Sequence, residues 1–215
     1  MKLIHIQTLV GMVVVLLMTS SSFAMSVSWE GSTAVMTNNQ PFLTDWLVAY
    51  SFRSDMAIAA RYMNMTMRDS TKMQLYAPQF DYLVRRWNDP FFQANIYASA
   101  GFGAEESQGL TSAVSITTLE ADIESRVLYA ATKFQANIVG RGPDIYQSEL
   151  RLGVAPYKAD YEDLASWLIV SLQSNPQLIR TFSVTPMVRL FYKSVLVEIG
   201  ASAEGDWMFN SMIHF

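Results

Sequence analysis

Gly205-Asp206-Trp207-Met208-Phe209-Asn210-Ser211-Met212-Ile213-His214-Phe215 closes the chain. Counting back from Phe215, every second side chain is Ile213, Ser211, Phe209 and Trp207, and the interleaved set is His214, Met212, Asn210 and Met208. One face is mostly large and apolar, the other mixed, and a period of two is the mark of a strand. A soluble domain rarely ends on an exposed apolar strand, because such an edge recruits other chains. A strand that pairs with the first strand to close a barrel has no free edge to protect. Its parity assigns the outside and the inside for everything upstream.

The other end of the chain carries an export pattern. Met1-Lys2 supplies a positive charge, Leu9 to Met18 is an apolar run too short to span a bilayer, and Ser22-Phe23-Ala24 places small residues where a signal peptidase reads. Residues 1–24 are therefore expected to be a cleavable secretory signal peptide, with residues 25–215 forming the barrel. The chain has no cysteine, which excludes a disulfide scaffold and a lipid-anchored terminus. The formal net charge of −4 becomes −5 once Lys2 leaves, so there is no basic footprint for nucleic acid. The hydrophobic fraction is 51%, yet no run of about 20 apolar residues follows residue 24, which excludes a multi-span helical protein. Apolar content spread in alternation fits a barrel with a greasy exterior.

The alternation recurs along the chain. Val27, Trp29 and Val35 share one parity, and Asn38-Asn39-Gln40-Pro41 reads as a turn. Phe42, Thr44, Trp46, Val48, Tyr50 and Phe52 face one way and Asp45, Ala49 and Ser51 the other. Residues 56–67 put Met63, Met65 and Met67 on the side of Arg61. Residues 73–86 set Tyr76, Phe80, Tyr82 and Val84 against Gln79, Asp81 and Arg85, and residues 91–103 alternate more cleanly still. Glu105 to Gly109 reads as a polar loop, and residues 113–138 as two strands with a turn near Ser125-Arg126. The predicted fold class is all-β: a single antiparallel up-and-down transmembrane β-barrel of twelve strands, or ten if residues 113–133 are continuous, with short loops.

The export signal, the alternating strands and the aromatic-terminated last strand resemble Gram-negative outer-membrane β-barrel proteins, porin-like in architecture. In length and strand count the chain is similar to the small twelve-stranded oligosaccharide channels. The resemblance implies residence in the outer membrane, contact with outer-membrane lipid, and recognition by the barrel assembly machinery. It implies that Trp207, Phe209, Ile213 and Phe215 form the assembly signal, with Ser211 the weaker fit.

The inward parity predicts a lumen lined by Asp45, Asp81, Glu120, Asp122, Glu124, Glu149 and Glu198, with Glu30 near its start. Arg61, Arg85, Lys133, Arg151 and Arg189 are the predicted lumen bases. Two readings stand. Acids in excess of bases give a narrow channel for ions or small polar solutes with a weak cation preference. Alternatively, the charges pair across strands and plug the barrel, which then serves an envelope or export assembly as a structural or binding component. Glu120, Asp122 and Glu124 are expected at a solvated turn. His214 is the only histidine of the mature chain, and no acid partner can be assigned to it, so no catalytic residue, enzymatic activity or cofactor is expected. The row Met63, Met65 and Met67 offers soft thioethers, a variant reading in which the lumen handles a metal ion.

Overall fold

The computed structural model describes residues 26–160 and 162–215, so the signal-peptide reading of residues 1–24 lies outside the described residues. Twelve strands run in chain order among them: β1 Thr33–Gln40, β2 Leu43–Arg53, β3 Met56–Thr66, β4 Lys72–Asn88, β5 Phe92–Ser107, β6 Leu110–Ser125, β7 Leu128–Val139, β8 Ile145–Val154, β9 Ala165–Ser174, β10 Phe182–Tyr192, β11 Val195–Ala201 and β12 Trp207–His214. Each pairs antiparallel with its sequence neighbours, and β1 pairs with β12, so the sheet is a closed up-and-down barrel. The seam runs from Ala34 opposite His214 to Asn39 opposite Phe209. Closure leaves no strand edge, the condition for a sheet to lie in hydrocarbon.

The exterior is what lipid requires. Trp46, Ile58, Leu119, Leu152, Leu168 and Ile199 are all more than half exposed and all point outward. Trp207, Phe209 and Phe215 are exposed on the same outer surface, and the half-buried Ile213 shares their parity. This alternation of apolar outside and polar inside defines an outer-membrane type of β-barrel.

Three boundaries differ from the sequence reading. Asn38, Asn39 and Gln40 belong to β1, and the turn is Pro41-Phe42. These asparagines look like turn formers, but Asn38 pairs with Asp45 on a polar lumen wall and so can extend the strand. Phe42 consequently leaves the outer face and is buried inside the barrel end. Glu105 lies within β5, which runs on to Ser107 before a tight turn at Gln108-Gly109. The walls are uneven: β4, β5 and β6 have 17, 16 and 16 residues, whereas β11, β12 and β1 have 7, 8 and 8.

Candidate functional site: the barrel lumen

Inward side chains form tiers. The waist is charged. Arg61 on β3 donates from Nε to Asp45 Oδ1 at 2.9 Å and from Nη2 to Asp45 Oδ2 at 2.5 Å, a bidentate pair. The same Nη2 reaches Gln135 Oε1 at 2.7 Å, four strands away on β7. Gln135 passes its own Nε2 protons to Asn137 at 3.0 Å and Gln147 at 3.2 Å. A second knot centres on Glu198, whose side chain is fully buried. It accepts from Arg189 Nε at 2.7 Å, Arg151 Nη1 at 3.0 Å and Asn210 Nδ2 at 2.6 Å. Arg151 also donates to Glu149 at 2.7 Å, and Ser171 Oγ donates to that carboxylate at 2.6 Å. The Arg189 guanidinium lies 4.4 Å from the Tyr129 ring centre, a cation–π contact.

The β4–β6 wall is different. Asp81, Glu120, Asp122 and Glu124 face inward there, and none is in an ion pair within 4.0 Å among the described residues. Asp81 accepts from Gln79 and Asp122 from Asn95. Asp81 Oδ2, Asp122 Oδ2, Glu124 Oε2 and Thr118 Oγ1 are buried with no hydrogen-bond partner among the described residues. Lys133 stands by register between Glu120 and Glu149 and makes no ion pair within that distance among the described residues. Between the walls lies a cavity of about 120 Å³ lined by Asp45, Arg61, Glu120, Lys133, Arg151 and Glu198 among others. A neighbouring hollow of about 40 Å³ extends past Gln147 and Gln173. Polar walls and this volume suit several ordered waters, within reach of the lining residue Thr118, whose Oγ1 is one of the orphaned atoms.

Above the waist, at the end away from the termini, the filling turns apolar. Phe42, Leu43, Met63, Met65, Met73 and Leu75 belong to one buried cluster with Met67, Val114, Ile116, Val139, Ile145 and Leu178. Met65 and Met73 are direct cross-strand partners. At the terminus end, Val27 is buried in one apolar cluster with Ala34, Ala49 and Trp167, and Ser28 N donates to Ser51 Oγ at 2.9 Å. Segment 26–31 thereby narrows that mouth. His214 sits at its rim, its ring 5.4 Å from that of Trp29.

Most predicted lumen residues point inward: Asp45, Arg61, Asp81, Glu120, Asp122, Lys133, Glu149, Arg151, Arg189 and Glu198. Arg85 does not. A bulge between Leu83 and Arg85 inserts one residue, and beyond it Arg85 pairs with the outward Ile96. Arg85 lies over Trp87 on the outer surface, 5.4 Å from its ring centre. The base that enters the lumen is Arg86, which donates to Asn95 at 2.7 Å and Tyr97 at 3.1 Å. Glu30 is exposed on the segment before β1 rather than lumen-lining. Glu120, Asp122 and Glu124 occupy a strand wall, not a solvated turn, because β6 continues to Ser125. No group of three or more His, Cys, Asp or Glu among the described residues is arranged to hold a metal ion. Glu105, read as a loop residue, is a buried inward acid bonded by Ser112 Oγ at 2.6 Å. Its parity with Asn95 and Tyr97 was the available signal.

No family profile and no curated protein matches this sequence. Among solved structures, the chain is similar to KdgM porin in complex with disordered oligogalacturonate, at 12% identity and a TM-score of 0.47 over 86% of this chain and 98% of that one. It is similar to a second structure described as KdgM porin at 12% and 0.46 over the same shares. A loop-deletion mutant of OmpT, an outer membrane protein of Vibrio cholerae, aligns at 9% and 0.30 over 86% and 97%. Such likenesses add nothing to what strand order and register establish: the described residues form a closed barrel of twelve antiparallel strands.

Proposed function

We propose that the protein is a narrow channel in the outer membrane of a Gram-negative cell, passing ions or small polar solutes, and that the conformation described is a closed one. The observation that carries this reading is the cavity at the waist, walled by both signs of charge, among them Glu120 and Lys133, which make no ion pair within 4.0 Å among the described residues. A barrel filled only for rigidity would pair those groups or replace them with apolar ones. Inward acids exceed inward bases: Asp45, Asp81, Glu105, Glu120, Asp122, Glu124, Glu149 and Glu198 against Arg61, Arg86, Lys133, Arg151 and Arg189. That excess supports a weak preference for cations. Ions would pass through the lumen field, without catalysis.

With the termini periplasmic, the apolar tier faces the cell exterior. Trp207, Phe209, Ile213 and Phe215 would present the signal by which the barrel assembly machinery inserts the chain after removal of residues 1–24. A second reading, a plugged barrel serving an envelope assembly, draws on the apolar seal and on the bond from Arg61 across to Gln135. Planar-bilayer recording of refolded protein separates the two. The channel reading expects discrete small conductance steps. Silence from protein whose heat-modifiable gel shift proves it folded, in native form and with the 175–181 connection shortened, supports the plug.

A further inference from the structure

The connection between β9 and β10, residues 175–181, does not stay over its own strands. It is closed at its neck by Asn175 N donating to Thr181 O at 2.8 Å and is turned by Leu178 N donating to Asn175 O at 3.0 Å. Its tip then meets the end of β3, six strands round the barrel from β9. Met67 and Leu178 form an antiparallel bridge, flanked by Arg68 N to Gln177 O at 2.9 Å and Ile179 N to Thr66 O at 3.1 Å. Gln177 Oε1 also accepts from Tyr146 N on β8 at 3.0 Å. The loop thus lies across the mouth as a short added strand.

Leu178 is fully buried in the apolar cluster of the mouth, beside Met63, Met65, Met67 and Met73. Unbranched thioethers make an adaptable socket that can close around an inserted side chain and re-close when it leaves. Outside Leu178 and the buried Asn175 at its neck the loop is wetter: Pro176 and Ile179 are exposed, and Arg180 is half-buried and donates to Asp206 in the β11–β12 connection. One buried leucine, two backbone bonds to the end of β3 and the side-chain bonds of Asn175, Gln177 and Arg180 are few enough contacts for local opening without unfolding the barrel.

We propose that residues 175–181 are a latch: Leu178 docked in the methionine socket shuts the outer mouth, and its withdrawal opens the path to the charged waist. This rests on the channel reading and adds its regulation. The two bonds flanking Met67 and Leu178 make them a non-hydrogen-bonded pair, whose Cα atoms stand about 4.5 Å apart. That lies within the range of about 4.4–6.8 Å that a disulfide spans. The chain has no cysteine of its own, so Met67→Cys with Leu178→Cys gives a clean lock.

The test compares single-channel records of the native protein, the oxidised and reduced lock, Leu178→Asp, and a barrel with residues 175–181 replaced by a short glycine turn. Oxidation is expected to abolish open events and reduction to restore them. Leu178→Asp is expected to lengthen open time on the order of tenfold or more, since burying an unpaired carboxylate costs more than the about 1.4 kcal/mol that a factor of ten represents. The glycine-turn variant, which needs no buried charge, is expected to stay open. Equal open times in the oxidised and reduced lock overturn the latch while leaving the channel intact. Silence from every folded variant, the glycine-turn barrel included, overturns the channel reading and the latch with it.

Discussion

The charged waist and the apolar outer mouth fill one barrel in opposite ways. At the waist, the polar groups of Arg61, Gln135, Glu198 and Arg189 are held by named partners at fixed geometry. At the mouth, Met65, Met73 and Leu75 satisfy only volume. Directional bonds tolerate no exchange of partner, whereas an apolar cluster tolerates any side chain of similar size. The waist is therefore rigid and specific, and the mouth is deformable. A channel needs that division: a fixed field where solutes are sorted and a soft seal where access is controlled.

The division is tested most severely at Glu198. Glu198→Ala removes the carboxylate that Arg151 and Arg189 share, leaving Arg151 with Glu149 and Arg189 with the Tyr129 ring, and removing one partner of a buried pair costs about 3–5 kcal/mol. The midpoint of urea unfolding in lipid vesicles, read by gel shift, should fall accordingly. At the mouth, Met65→Ala should cost about 2–5 kcal/mol as a cavity opens, whereas Met65→Leu should cost under about 1.5 kcal/mol. A large loss for Met65→Leu would mean the mouth is as specified as the waist. Gln135→Leu keeps size but removes the group that ties Arg61 to Asn137 and Gln147, and should cost about 1–3 kcal/mol in the same assay. Lys133→Met comes last in stability, within about 1 kcal/mol, since Lys133 makes no close ion pair among the described residues. It should nonetheless shift the reversal potential in a salt gradient further toward cations, separating a sorting role from a structural one.

The barrel was legible in the sequence because period-two alternation is written into every strand, and the lipid face follows from Trp207, Phe209, Ile213 and Phe215. Eleven of the thirteen predicted lumen residues keep the inward parity of their strands; Glu30 and Arg85 do not. Arg85 was not legible: a bulge adds one residue without any glycine or proline to announce it, and parity inverts from there on. Asn38 to Gln40 were misread because residues that favour turns in water also suit a polar lumen wall. The partition into waist and mouth was out of reach. Met63, Met65 and Met67 gave the row, but the depth of a residue along the barrel depends on stagger, which alternation does not encode. The loop across the mouth was equally hidden, because Gln177 and Leu178 carry no pattern that names Met67 as a partner.

Single-channel recording of the refolded native protein in a KCl gradient tests the central claim most directly. An aqueous, acid-rich waist beneath an apolar seal predicts brief, discrete, small conductance steps that reverse on the cation side. Steps that reverse on the anion side, or none from folded native and glycine-turn barrels alike, would contradict it.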